Sequence, residues 1–197
     1  MQNKKLNKDV GPIWFILATA SLITLYFNPA LQDPFNSPKF WLLIFSGSWL
    51  VGYLVIKKES KLKALHNKLF YLLLSGFVVS MFISALLTES KFVAFFGDSG
   101  RRVGFLTYLF LGIFMLASSK YFTTYLIRRI YFIVFFNAVL SFSYALMQTT
   151  GNDFASWVNP YNSIIGTLGN PNFASSIMAI FSIMGFASMF SGSFSRI

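Results

Sequence analysis

Cysteine is absent from this chain, and histidine occurs once, at His66. The first absence removes disulfide frameworks, thiolate zinc sites and cysteine nucleophiles, and it leaves the redox compartment open. With a lone histidine, a histidine-based metal cluster is out of reach as well. Charge is also scarce: 11% of the 197 residues are charged, and only 6 are Asp or Glu. That is too little polar surface to cover a water-soluble globule of this size. The composition is instead 55% hydrophobic and 19% aromatic, with a mean hydropathy of +0.62. These figures exclude disorder and point to a lipid bilayer as the solvent. The formal net charge of +10 would suggest a phosphate-rich partner for a soluble domain. In so apolar a chain it does not, and no nucleic-acid partner is expected.

Crossing a hydrocarbon core of about 30 Å takes roughly 20 mostly apolar helical residues. Six uncharged runs meet or approach that length, at about 12–31, 40–56, 69–87, 103–118, 130–147 and 171–190. The fourth is the shortest, and snorkelling by Lys120, tilt or local bilayer thinning would absorb its mismatch. The first run follows Lys4, Lys5 and Lys8, as a secretory signal would, but it is too long for a signal core and lacks a convincing cleavage site. No repeat or low-complexity tract interrupts the pattern. The expected fold is therefore all-α, a polytopic helical bundle forming one membrane domain over residues 1–197.

Basic residues fix its orientation, because cytoplasmic loops retain Lys and Arg. With the N-terminus inside, twelve basic residues are cytoplasmic: Lys4, Lys5, Lys8, Lys57, Lys58, Lys61, Lys63, Lys68, Lys120, Arg128, Arg129 and Arg196. Four are external: Lys39, Lys91, Arg101 and Arg102. Asp9 and Glu59 lie inside and Asp33, Glu89, Asp98 and Asp153 outside, so the whole net charge falls on the inner face. Lys57 to Lys68 reads as a solvated hairpin that sets topology and attracts anionic lipid heads. His66, within it, reads as an ordinary exposed histidine.

The outer loops carry the chemistry. Thr88 to Arg102 places two adjacent arginines on the side the charge rule disfavours. Gly97 and Gly100 are expected to turn the backbone tightly, and Asp98 or Ser99 to cap the following helix. That helix points its positive end outward, beside guanidinium groups suited to bidentate phosphate contacts. The competing reading is that Arg101 and Arg102 snorkel to the interface. In the second outer loop, from Gln148 to Asn170, Pro171 suits a first helical position and Asn170 an N-cap. A second positive helix end would then face outward, and with Arg101 and Arg102 it would form an anion site. Trp157 and Tyr161 are suited either to stacking on a sugar ring or to anchoring at the interface.

Three elements together carry a resemblance. Gly166-Thr-Leu-Gly-Asn-Pro-Asn-Phe173 opens a hydrophobic helix, Phe96-Gly-Asp-Ser-Gly-Arg-Arg-Val-Gly-Phe-Leu-Thr-Tyr108 lies upstream, and Asp33-Pro-Phe-Asn-Ser-Pro-Lys39 follows the first run. In this order and topology they resemble the bacterial O-antigen ligase and polymerase superfamily. The resemblance implies a multi-pass inner-membrane transferase. Such an enzyme moves glycan from an undecaprenyl-diphosphate carrier at the periplasmic face to a lipid, glycan or protein acceptor, without a metal ion or other cofactor. It implies diphosphate contacts from Arg101 and Arg102, with Asn170 and Asn172 building the helix end. Family members often carry an arginine shortly before the Gly-Thr-x-Gly-Asn-Pro-Asn element, where this chain has Asn162-Ser163-Ile164. They also have about twice as many spans, which implies that this chain corresponds to an N-terminal half. A transporter would instead place ionisable or strongly polar groups at mid-membrane depth; no run has a charged residue at its centre, and Asn137 in the fifth is the main polar intruder. An inactive membrane remnant is the third class.

The charge asymmetry makes a direct prediction. A reporter fused after Asp153 is exported and one fused after Lys63 stays cytoplasmic; the opposite pattern in a paired-reporter assay would invert the topology.

Overall fold

A computed structural model describes residues 10–57, 68–121, 124–157 and 164–190. Among the described residues there is no strand, as expected where hydrocarbon offers no hydrogen bonds and each segment must satisfy its own backbone. Seven helices follow in order: α1 (Val10–Leu25), α2 (Asn36–Ile56), α3 (Lys68–Leu87), α4 (Lys91–Phe96), α5 (Phe105–Tyr121), α6 (Thr124–Thr149) and α7 (Pro171–Phe190). A 3-10 turn, Gly166–Leu168, precedes the last.

Four helical segments are long and apolar enough to cross a membrane: α2, α3, Arg129–Thr149 of α6, and α7. Two further apolar stretches, Gly11–Leu25 and Phe105–Ser119, are shorter. The first ends six residues before the sequence expectation, which carried its run to residue 31. Pro29 has no N–H to donate and disfavours helical geometry at Asn28. Asn28 instead turns the chain, its Oδ1 accepting the Ala30 N–H at 3.0 Å while its N–H donates to the Pro34 carbonyl at 2.9 Å. Other runs shift at their ends as well. α2 starts four residues earlier because Pro38 falls in its first turn, where a missing N–H costs nothing. α5 starts two residues later, behind a tight loop, and α6 extends past its run at both ends. Neither α4 nor the 3-10 turn has a sequence pattern long enough to have been anticipated.

The contacts divide into two compact units: Met1–Thr19 with Asn36–Phe122, and Ala20–Phe35 with Thr123–Ile197. In the first unit, α5 packs against α2, α3 and α4. The face of α2 that is buried carries Phe40, Leu43, Gly47 and Leu50, the three-and-four spacing of one helical stripe. Gly47 lets the Phe110 ring lie directly against the α2 backbone, since a Cβ there would collide with it. Phe15 of α1 adds a ring pair with Trp49, centroids 4.0 Å apart. By contrast α3 buries only Ala85, its other side chains being exposed or half-buried. In the second unit α6 packs against α7, and the 3-10 turn sits on both.

Overpacking a core by a few methyl groups costs about 1–3 kcal/mol, so Gly47→Val is expected to lower the unfolding midpoint in detergent. Gly52→Val on the same helix adds its side chain to open space and leaves the midpoint unchanged. Equal midpoints for both variants would remove Gly47 from the packing argument.

Candidate functional site

In the first unit the arginine pair lies on a loop closed by two glycines. Gly97 ends α4 with φ 81°, a conformation open to glycine, and its N–H donates to the Val93 carbonyl at 2.8 Å. The backbone of Arg102 and Val103 occupies the space a Gly97 Cβ would need, and that of Gly97 and Phe95 the space a Gly104 Cβ would need. The neck of the loop is thus backbone against backbone. Between these residues the Asp98 carbonyl accepts the N–H groups of Arg101 (3.1 Å) and Arg102 (2.8 Å), while its Oδ2 accepts that of Gly100 (3.2 Å). Asp98 therefore shapes the loop, and neither it nor Ser99 caps the next helix. The Gly104 carbonyl takes the first-turn N–H groups of Thr107 and Tyr108. Nor does Gly100 adopt a positive φ; Gly104 is the glycine the geometry requires.

Arg102 has φ 51°, the one described non-glycine residue in the left-handed region. That conformation costs about 1–2 kcal/mol for an L-residue. It is held by Thr107 Oγ1 donating to the Arg102 carbonyl at 2.7 Å and by Arg102 Nε donating to Ser37 Oγ at 3.3 Å. Asn36 Nδ2 reinforces the same loop through the Gly100 carbonyl at 2.8 Å. Asn36 and Ser37 thereby join the Asp33-to-Lys39 element to the Phe96-to-Tyr108 element. Arg101 is exposed, and its guanidinium has no hydrogen-bond partner among the described residues.

In the second unit the expected helix cap forms. Asn170 Oδ1 accepts the Asn172 N–H at 2.9 Å, its carbonyl accepts the Ala174 N–H at 2.9 Å, and Pro171 occupies the first helical position. Asn172 is exposed; its N–H serves the cap, its carbonyl accepts the hydroxyls of Ser175 and Ser176, and its amide side chain has no hydrogen-bond partner among the described residues. Upstream, Gly169 is at φ 74° with the Phe35 ring where its side chain would be. Thr167 Oγ1 donates to the Thr24 carbonyl at 2.9 Å, and the Gly166 N–H donates to Gln148 Oε1 at 2.9 Å. Each residue from Gly166 to Asn170 thus has a mechanical reason to be what it is, Leu168 aside.

No family model, curated protein or solved structure matches this chain.

Trp157, half-buried in the second unit, is engaged by protein. Its Nε1–H donates to Asp153 Oδ2 at 2.9 Å, with the Tyr144 hydroxyl 3.0 Å away, and its ring lies beside Phe35 and Phe27 at centroid distances of 4.9 and 5.9 Å. A sugar stacking on this indole would compete with those rings. Asp153 also accepts from Tyr144 Oη (3.2 Å), Gln148 Nε2 (3.0 Å) and the Ala155 N–H (3.1 Å). One carboxylate thereby ties the end of α6 to the loop beyond it, and Gln148 extends the tie to Gly166. Sequence reasoning missed this knot. Tyr144 and Gln148 stand four apart on one helix face, which was a signal, but nothing local marked Asp153 as their acceptor. Tyr161 and His66 lie outside the described residues. Arg101 and Arg102 belong to the first unit, and Asn170, Asn172 and Trp157 to the second.

Hydrogen bonds to a charged acceptor contribute about 1.5–3 kcal/mol each when buried, less for a half-exposed carboxylate. Asp153→Ala is therefore expected to destabilise the protein by about 2 kcal/mol and to open the segment after Thr149 to limited proteolysis. An unchanged thermal midpoint and cleavage pattern would dismiss the knot.

Proposed function

We propose that this chain belongs to a membrane glycan transferase of the O-antigen ligase and polymerase type. It acts at the periplasmic face of the bacterial inner membrane, with a lipid-linked glycan as donor and a lipid, glycan or protein as acceptor. In this reading the two shorter apolar helices also cross the bilayer, by tilt and local thinning, giving six spans and a cytoplasmic N-terminus.

The observation that carries the reading is the arginine loop. A cationic pair on a built, strained loop is costly to make, and backbone outliers of this kind cluster at ligand clamps. A departing lipid diphosphate accumulates negative charge, which a guanidinium held in place, as that of Arg102 is by Ser37, stabilises with little reorganisation at the moment of reaction. In the second unit, taken by itself, the capped start of α7 also favours anions. Within the first unit Arg101, whose guanidinium has no hydrogen-bond partner among the described residues, is the group left to meet substrate. Arg102 has its Nε committed to Ser37 and presents the remainder of its guanidinium.

A transporter is the second reading, and one observation favours it. Asn137 Oδ1 and Ser141 Oγ on α6 are buried without hydrogen-bond partners among the described residues, and polar groups at membrane depth mark pathways.

Transfer from a polyprenyl-diphosphate glycan separates the two. In membranes expressing the protein, Arg101→Ala and Arg102→Ala are each expected to reduce transfer about 10- to 100-fold with normal insertion, while Asn137→Leu leaves it unchanged. Full transfer by both arginine variants would reduce the pair to interface anchors.

A further inference from the structure

Opposite its buried stripe, α2 carries a second one made of rings. Trp41, Phe45, Trp49 and Tyr53 follow one another at every fourth residue, and Ser37 begins the same series one turn earlier. Trp41, Phe45 and Trp49 are 46%, 68% and 50% exposed, so their faces are open where those of Phe40 and Leu50 are closed. Trp41 and Phe45 stack at a centroid distance of 5.9 Å, and Trp49 and Tyr53 at 5.5 Å. Lys57 closes the series, its ammonium 5.9 Å from the centre of the Tyr53 ring. At 1.5 Å per residue the series covers about 24 Å from Ser37 to Tyr53, most of a hydrocarbon core of about 30 Å.

Two features separate this face from one that merely meets bulk lipid. Tryptophan ordinarily collects at the boundaries of a bilayer, where its ring lies in apolar surroundings and its N–H meets water. Trp49 lies instead about 18 Å along the helix from Ser37, past the middle of α2, and its indole N–H has no hydrogen-bond partner among the described residues. Phe15 of α1 lies against it, centroids 4.0 Å apart, and the remainder of the indole stays open. A saturated acyl chain offers this N–H and these ring faces only dispersion. A chain of alkenes also offers π electrons to the N–H and polarised allylic C–H groups to the rings.

The second feature is where the series begins. Ser37 Oγ accepts the Arg102 Nε–H at 3.3 Å, and the neighbouring Asn36 holds the Gly100 carbonyl. The turn of α2 that supports the arginine loop is thus the turn from which the rings descend, all within the first unit. An amphiphile with its anionic head at Arg101 and Arg102 has the Trp41 ring next in line for its hydrocarbon.

We propose that the face of α2 from Trp41 to Tyr53 holds the unsaturated isoprenoid tail of a polyprenyl diphosphate whose head group lies at the arginine loop. This rests on the reading of that loop as a diphosphate site and adds the path of the lipid. The rings engage the tail through its double bonds, so they select a polyprenyl carrier over the saturated chains of bulk phospholipid.

The test uses the purified chain in vesicles of saturated phosphatidylcholine with two photoreactive polyprenyl diphosphates, one bearing a diazirine close to the diphosphate and one several isoprene units along the tail. Label from the first is expected at Trp41 and Phe45, and label from the second at Trp49 and Tyr53. Unlabelled polyprenyl diphosphate should compete about tenfold better than a diphosphate with a saturated tail of equal length, and Trp41→Leu with Phe45→Leu should abolish that preference. Should the double variant fail to insert, Phe45→Leu alone, at the most exposed ring of the series, lowers the preference to about threefold. Phe77→Leu, at an exposed ring of α3, leaves it unchanged. Even labelling of all exposed helices by both probes, equal competition by the two tails, or a preference that survives the leucine variants would overturn the proposal. If binding still favoured diphosphate over alcohol through Arg101 and Arg102, the reading of the loop would stand without it; loss of that dependence as well would overturn both.

Discussion

A backbone group that leaves a helix inside or beside a bilayer finds little water to bond, so the protein has to supply its partner. This constraint explains why the polar side chains of so apolar a chain sit where they do. Asn36 serves the Gly100 carbonyl, Thr107 the Arg102 carbonyl, Thr167 the Thr24 carbonyl, and Gln148 the Gly166 N–H. Asn170 caps α7 and Asn28 closes the turn after α1. Where no side chain could fit, glycine allows the backbone to approach backbone, as at Gly97 and Gly104.

The same requirement sorts the candidate residues by what remains available to a ligand. Asn170 is committed to its helix, and Trp157 to Asp153 and neighbouring rings. Arg102 is partly committed through Ser37, and its left-handed backbone persists because Thr107, Ser37 and the glycine neck act on it together. Arg101 and the Asn172 side chain remain. A functional reading of the polar motifs therefore concentrates on fewer atoms than the motifs suggest, and a mutation at Asn36, Thr107 or Asn170 would act through the backbone.

Much of the architecture was legible in the sequence because the bilayer demands long apolar runs. α3 and α7 match their runs to within a residue, and the Asn170-Pro171 cap forms as local geometry requires. Hydropathy failed where a run continues past a helix end: residues 26–31 are apolar enough to extend α1, but the Asn28-Pro29 pair stops it. Short elements such as α4 have no periodicity to read. The Asp98 and Gly100 roles were misassigned because loop closure depends on the approach of Gly97 to Gly104, seven residues apart. The Asp153 knot stayed hidden because its donors are spread over α6 and the loop beyond it.

The central claim is that the arginine loop meets a lipid diphosphate, and equilibrium binding addresses it without requiring turnover. A short-chain polyprenyl diphosphate, its monophosphate and its free alcohol would be titrated against the purified chain in vesicles at increasing salt. The account predicts that the diphosphate binds tightest, that its advantage shrinks as salt rises, and that Arg101→Ala with Arg102→Ala reduces it to the level of the alcohol. Equal affinity for all three ligands, or a diphosphate preference that survives the double substitution, would contradict it.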